Sequence, residues 1–174
     1  KDAPNGLRRN LLKARALLEE AGWKLDEEGL LRNGKGELFE FEYMSPREIQ
    51  DLNWQTLLRK LGITMKHRVV DFALYRSRLQ KYDYDVITLA GGDFTLPDSG
   101  TLDAILGSKS ADEEGNSNFR GVKSRAADHL IKLMSEARTV DELRDASRAL
   151  DRVIMWNHWQ IPDLYASDEK SSYW

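Results

Sequence analysis

The chain has 174 residues, a formal net charge of -3 and no cysteine, with 41% hydrophobic and 32% charged residues. Lacking cysteine, it has no disulfide, no thiolate metal site and no cysteine nucleophile. Its charges are interspersed in sign, without the basic excess of a nucleic-acid binder, and no apolar run approaches the ~20 residues needed to cross a bilayer.

Asn10 to Glu20 carries Leu11, Leu12, Ala14, Leu17 and Leu18 at helical spacing, and Gly22 stands where a C-cap glycine belongs. Trp23 to Gly36, with Gly29 and Gly34 inside it, reads as a hairpin-like connection. Phe39, Phe41 and Tyr43 alternate with Glu40 and Glu42, which predicts a strand with one buried face. Ser45-Pro46-Arg47-Glu48 has the form of a capping box opening a helix that runs to Leu61 and ends at Gly62. Ile63 to Val69 alternates as a second strand. Phe72, Tyr75, Leu79 and Tyr82 return to helical spacing, and Tyr84 to Leu89 is a third strand, apolar enough for burial on both faces.

Gly91 to Gly121 is long, polar and rich in Gly, Ser, Asp and Asn, with a short helix around Thr101 to Leu106. Loops of this length are usually functional or disordered. Helices follow over Lys123 to Arg138 and Thr139 to Trp156, the second opened by the capping box Thr139-Val140-Asp141-Glu142. Ile161 to Tyr165 reads as a last strand. Such alternation predicts a layered α/β fold with a largely parallel central sheet, residues 1–174 forming one domain.

Candidate chemistry is sparse. His67, His129 and His158 lie on different elements with no metal-ligand partner at i+3 or i+4, so no metal site is expected. The runs Asp112-Glu113-Glu114 and Asp141-Glu142 read as solvated faces or first-turn charges. Neither a phosphate-binding glycine loop nor a G-x-S-x-G elbow is present. No catalytic residue and no cofactor is expected. Gly91-Gly92 is either a strand-to-loop turn or a place where backbone approaches a ligand closely. The aromatics Trp156, Trp159, Tyr165, Tyr173 and Trp174 are either core beneath the last strand or a surface that another lobe or a ligand covers.

Lys13 to Trp23 resembles the "A-x-x-L-L-x-x-A-G-W" helix of the extracellular solute-binding proteins of family 5, the peptide- and nickel-binding components of ABC importers. Leu58 to Ile63 is similar to that family's "L-x-x-x-G-I" step, and Lys81 to Val86 to its "Y-D" strand opening. Gly107 to Asp112, Gly115 to Asn118, Ala149 to Val153 and Pro162 to Trp174 resemble the YejA-like branch. The resemblance covers residues 7 to 174. It implies a periplasmic-binding-protein-like lobe, the C-terminal one of a longer two-lobed protein whose N-terminal lobe and signal peptide lie outside this piece. It implies a non-enzymatic, periplasmic protein that binds oligopeptides or modified peptides in a cleft and delivers them to permease subunits.

In the family, the loop after the "Y-D" strand carries an aromatic residue and an acid that pairs with the peptide α-ammonium. Here that loop reads Gly91-Gly92-Asp93-Phe94-Thr95-Leu96-Pro97. Asp93 stands as the acid and Phe94 as the aromatic, with Gly92 where the family has tryptophan. The branch has Pro-Gly-Asn-Glu next, where this chain has Pro97-Asp98-Ser99-Gly100. The candidate ligand-binding set is Gly91, Gly92, Asp93, Phe94, Ser99, Asn116 and Asn118. The alternative reading is a ligand-sensing domain of the same fold in a transcriptional regulator, which a helix-turn-helix upstream would mark. A third, a hydrolase built on the acidic clusters, would lose turnover on Asp93→Asn.

Overall fold

The computed structural model describes residues 6–48, 53–89, 96–113 and 115–162, and the chain divides into two compact units, residues 1–90 and 91–174.

In the first unit, helix α1 (Gly6–Glu20) leads into a short antiparallel hairpin of β1 (Lys24–Leu25) and β2 (Leu31–Arg32). The Asp26 carboxylate organises the hairpin loop. It accepts from the backbone N–H groups of Leu30 at 2.8 Å and Glu28 at 2.9 Å, and from Arg32 Nε at 2.7 Å. The Leu30 N–H and then Arg32 hold the Asp26 carboxyl below its ordinary range. There follow β3 (Glu40–Ser45), α2 (Asn53–Lys60), β4 (Thr64–Val69), α3 (Phe72–Gln80) and β5 (Val86–Ile87). The three strands are parallel and ordered β4-β3-β5.

With β3 central, right-handed crossovers send α2 and α3 to opposite faces of the sheet. The side chains agree. Trp54 of α2 packs edge-on to Tyr43 at 5.1 Å and stacks at 6.5 Å from Phe41, while Arg78 of α3 reaches Glu42, on the other face, at 2.9 Å. The expected single buried face of β3 is therefore corrected. Tyr43, Met44 and Ser45 are all buried, because both faces of a central strand are covered. The alternating glutamates that suggested a solvent face are instead ion-paired, Glu40 with Lys66 and Glu42 with Arg68 and Arg78.

Ser45 is also corrected as a helix cap. It ends β3, its carbonyl accepts from Val70 N at 3.1 Å, and residues 46–48 are not helical. The described helix begins at Asn53, and residues 49–52 lie outside the described residues.

The helix stops follow one pattern. After α1, Gly22 N–H bonds Glu19 O and Trp23 N–H bonds Leu18 O; after α2, Gly62 bonds Arg59 O and Ile63 bonds Leu58 O. These are Schellman motifs, with φ of +89° at Gly22 and +83° at Gly62. The same pairing closes α3 at Tyr82 (φ 54°), without a glycine.

The second unit is helical where described. It contains α4 (Ser99–Leu106), a 3-10 turn (Ser110–Asp112), α5 (Arg125–Glu136) and α6 (Val140–Trp156). Asp98, Ser124 and Thr139 cap the three α-helices, and the expected Thr139–Glu142 capping box is present. Leu106, Val122, Ala127, Ile131, Met134, Ala146 and Leu150 form its core. Each large side chain so buried contributes about 1.5–3 kcal/mol. Helix α6 closes on a Schellman pairing at His158 (φ 56°).

Two expectations change at this end. Ile161 and Pro162 are not in a strand, and residues 163–165 lie outside the described residues. Trp159 packs against the core, but Trp156 is 86% exposed, so the core reading of the aromatics fails there. Tyr165, Tyr173 and Trp174 lie outside the described residues.

Candidate functional site

An open parallel sheet whose first strand is central has a switch point. The chain leaves β3 toward β4 on one side and returns to β5 on the other, which places the switch point at the carboxyl ends of β3 and β5. Ligands of such sheets bind there.

That edge carries a compact polar cluster. The Tyr43 hydroxyl lies 2.8 Å from Thr88 Oγ1, just past β5, and the Tyr75 hydroxyl of α3 donates to Thr88 O at 3.4 Å. Burial, with Tyr43 adding to it, pushes the Tyr75 phenol above its ordinary range, so this phenol stays a neutral donor. Beside them, Ser45 Oγ lies 2.6 Å from Arg47 O and 2.7 Å from His67 Nε2. The serine has one proton and gives it to the carbonyl, so His67 Nε2 must be the donor to Ser45. The imidazole is also stacked on Tyr43 at 5.2 Å. A serine whose proton points at a carbonyl is not activated for attack, so this Ser–His contact is a positioning device rather than a nucleophile–base pair.

The sequence-derived residues fall in different places. Gly91, Gly92, Asp93 and Phe94 lie outside the described residues; in sequence they follow β5 and Thr88. Ser99 is the first residue of α4, half-buried. Its neighbour Asp98 is the cap, accepting from Thr101 N at 2.7 Å, which holds the Asp98 carboxyl low. The Asn116 amide donates to Glu113 O, and its oxygen accepts from Asn118 N. Asn118 is fully buried. Its Nδ2 donates to Gly107 O at 3.1 Å and Val122 O at 3.0 Å, and its Oδ1 accepts from Val122 N at 3.0 Å. Asn118 thus has no surface to offer a ligand; its amide is committed to shaping the 107–122 loop.

Tyr43, Ser45, His67, Tyr75 and Thr88 were not picked out by sequence reasoning. The usable signal was positional: Tyr43 and His67 stand toward the carboxyl ends of predicted parallel strands, whereas the letters around Ser45 predict a helix cap. Among the described residues no cluster of His, Asp or Glu could hold a metal ion.

A three-stranded parallel sheet of this order, helix-covered on both faces, is an open α/β unit, and its likeness to solved structures places it in the periplasmic-binding-protein-like class. The fold matches the oligopeptide-binding protein AppA from Bacillus subtilis, solved with a nonapeptide, with a TM-score of 0.71 at 22% identity, covering 85% of this chain and 30% of that one. Residues 1–113 match the bacterial extracellular solute-binding proteins, family 5 (middle), and the chain belongs to that family. It is 32% identical over 174 residues to the probable peptide-binding protein YejA of Agrobacterium fabrum, covering 98% of this chain and 28% of that protein. It is 32% identical over 171 residues to the uncharacterized protein YejA of Escherichia coli K12, covering 96% and 28%. The chain therefore spans under a third of the length of these curated relatives.

Proposed function

We propose that this chain is part of the C-terminal lobe of a periplasmic solute-binding protein of an ABC importer, that both compact units belong to that lobe, and that its ligand is an oligopeptide or a modified peptide. The observation that carries the reading is the switch point between β3 and β5, with Gly91-Gly92-Asp93-Phe94 separated from β5 by three residues in sequence. A buried extended peptide needs partners for its backbone, which strand-like pairing supplies. The glycine pair admits close backbone approach, and Asp93 supplies the charge that a buried α-ammonium requires. A second, N-terminal lobe closes over the ligand about a hinge, and the closed protein hands it to the permease subunits. This reading involves no cofactor, nucleic acid or covalent chemistry.

Calorimetric titration with free and N-acetylated short peptides tests it, on this chain and on the longer protein that contains it. The longer protein is expected to bind, the chain alone weakly or not at all. Asp93→Asn is expected to cost at least about tenfold for free peptides only, since only they present the charge. Equal affinity of the chain alone and the longer protein would overturn the two-lobe reading, and indifference to N-acetylation would overturn the role of Asp93.

A further inference from the structure

The opposite end of the sheet carries a second candidate site. Helix α2 runs antiparallel to the strands, so its last residue, Lys60, and Leu61 just after it lie at the amino edge, shortly before β4 begins at Thr64. There α1 and the end of α2 enclose a groove of about 320 Å³. Leu11 and Leu61 are half-buried in it, and Leu12, 60% exposed, stands beside them. Arg8, Arg15 and Lys60 line the same groove. Among the described residues no carboxylate lies within ion-pair distance of these three. Arg15 is in part structural, because its Nη2 donates to Lys60 O at 3.3 Å and so closes the carboxyl end of α2.

The charge here departs from that of the whole. The chain is net negative, yet residues 6–18 carry Arg8, Arg9, Lys13 and Arg15 and no Asp or Glu. A leucine floor with an unmatched cationic rim suits an occupant that is apolar and acidic together. Arg8, Leu12 and Arg15 stand at i, i+4 and i+7, along one face of α1 and about 10 Å from end to end. A helix laid along them matches when it carries Glu at i and i+7 with Leu at i+3 and i+4 between.

We infer that the groove formed by α1 and Lys60-Leu61 is a docking site for an acidic amphipathic protein segment. A protein segment is favoured over a membrane because the half-buried leucines sit in a recess, which a ridge of side chains enters and a flat bilayer surface does not. The site lies at the edge of the sheet opposite the switch point, so a partner held here does not compete with cargo bound at the carboxyl edge. It stands whether or not the cargo is a peptide.

The test uses the longer protein that contains this chain and a fluorescein-labelled synthetic peptide of repeated Glu-x-x-Leu-Leu-x-x-Glu units, read by fluorescence anisotropy. Binding is expected at low salt and should weaken by about tenfold or more on raising the ionic strength, as screened ion pairs do. The Arg8→Glu/Lys60→Glu double variant, checked for unchanged circular dichroism, is expected to lose about tenfold or more by placing like charges together. A Lys-for-Glu peptide should not bind. Absence of peptide binding overturns the site, and so does binding that the double variant leaves intact. Co-sedimentation of the longer protein with phosphatidylglycerol vesicles through Arg8 and Lys60, without peptide binding, overturns it in favour of a membrane surface.

Discussion

Asp85 Oδ2 accepts the backbone N–H of Glu42 at 2.8 Å. Strand β5 pairs with β3 through only Tyr43↔Val86 and Met44↔Ile87, so the carboxylate extends the pairing by one residue and fixes the register at the switch point. This gives a physical reason for an acid directly before the strand. Asp85→Ala leaves that N–H without its charged acceptor and is expected to cost about 1–2 kcal/mol. Asp85→Asn keeps an acceptor oxygen and should cost less. Urea unfolding followed by tryptophan fluorescence reads both, and an alanine variant as stable as the parent would refute the register role.

Gly22 and Gly62 occupy the same position in two Schellman motifs but differ in surroundings. A Cβ at Gly22 would meet nothing within 4 Å. At Gly62 it would lie 2.8 Å from Gly29 O, 3.0 Å from Leu31 N and 2.5 Å from Leu25 Cδ2, because Leu31 N–H bonds Gly62 O and draws the hairpin against this turn. Gly22→Ala therefore carries only the left-handed backbone penalty, about 1–2 kcal/mol. Gly62→Ala adds overpacking of about 1–3 kcal/mol. Thermal unfolding of the pair should rank Gly62→Ala clearly below Gly22→Ala.

Local signals in the sequence were read correctly where the structure they specify is itself local. The Thr139–Glu142 box and the stops at Gly22 and Gly62 involve residues within a few positions of each other, and the parallel sheet followed from alternation of elements. Ser45 shows the limit. Ser45-Pro46-Arg47-Glu48 has the letters of a capping box, but Val70 N and His67 claim Ser45 for the sheet from more than twenty residues away. The glutamates of β3 failed likewise, since the arginines that neutralise Glu42 come from β4 and α3. At the candidate site, polar loop residues drew attention by composition, whereas the Tyr43–Thr88 and Ser45–His67 contacts exist only once three strands are aligned.

Acid should weaken the first unit in a definite window. Burial raises the Glu42 carboxyl, but hydrogen bonds from Arg78 and Arg68 outweigh it, so it falls below its ordinary 4.5. Arg78 lowers Asp83, and the Leu30 N–H lowers Asp26, below their ordinary 3.8. A carboxylate with a depressed folded pKa stabilises above its unfolded pKa, and that contribution is lost as pH falls through the folded value. Stability is thus expected to drop most steeply below about pH 4. Arg78→Met removes the partner shared by Glu42 and Asp83 and should flatten that limb. Urea midpoints taken across the acid range decide it, an unchanged slope counting against the Arg78 cluster.

Asn118 supplies the last prediction, in the second unit. Its side chain bonds both the N–H and the carbonyl of Val122, mimicking a strand partner, and ties them to Gly107 O. Val122 and Leu106, the residues beside these anchors, are both core. Asn118→Ala leaves buried backbone groups unpaired and is expected to cost about 3 kcal/mol or more. Asn118→Asp should fare no better, because a carboxylate cannot donate to Gly107 O and Val122 O and would bury a charge. A side chain serving a ligand alone would leave stability of the ligand-free chain unchanged on either substitution, so thermal unfolding without ligand separates the two roles. Loss of stability in both variants assigns Asn118 to the loop, and any cargo contact from this segment must then come from the backbone or neighbours that it holds in place.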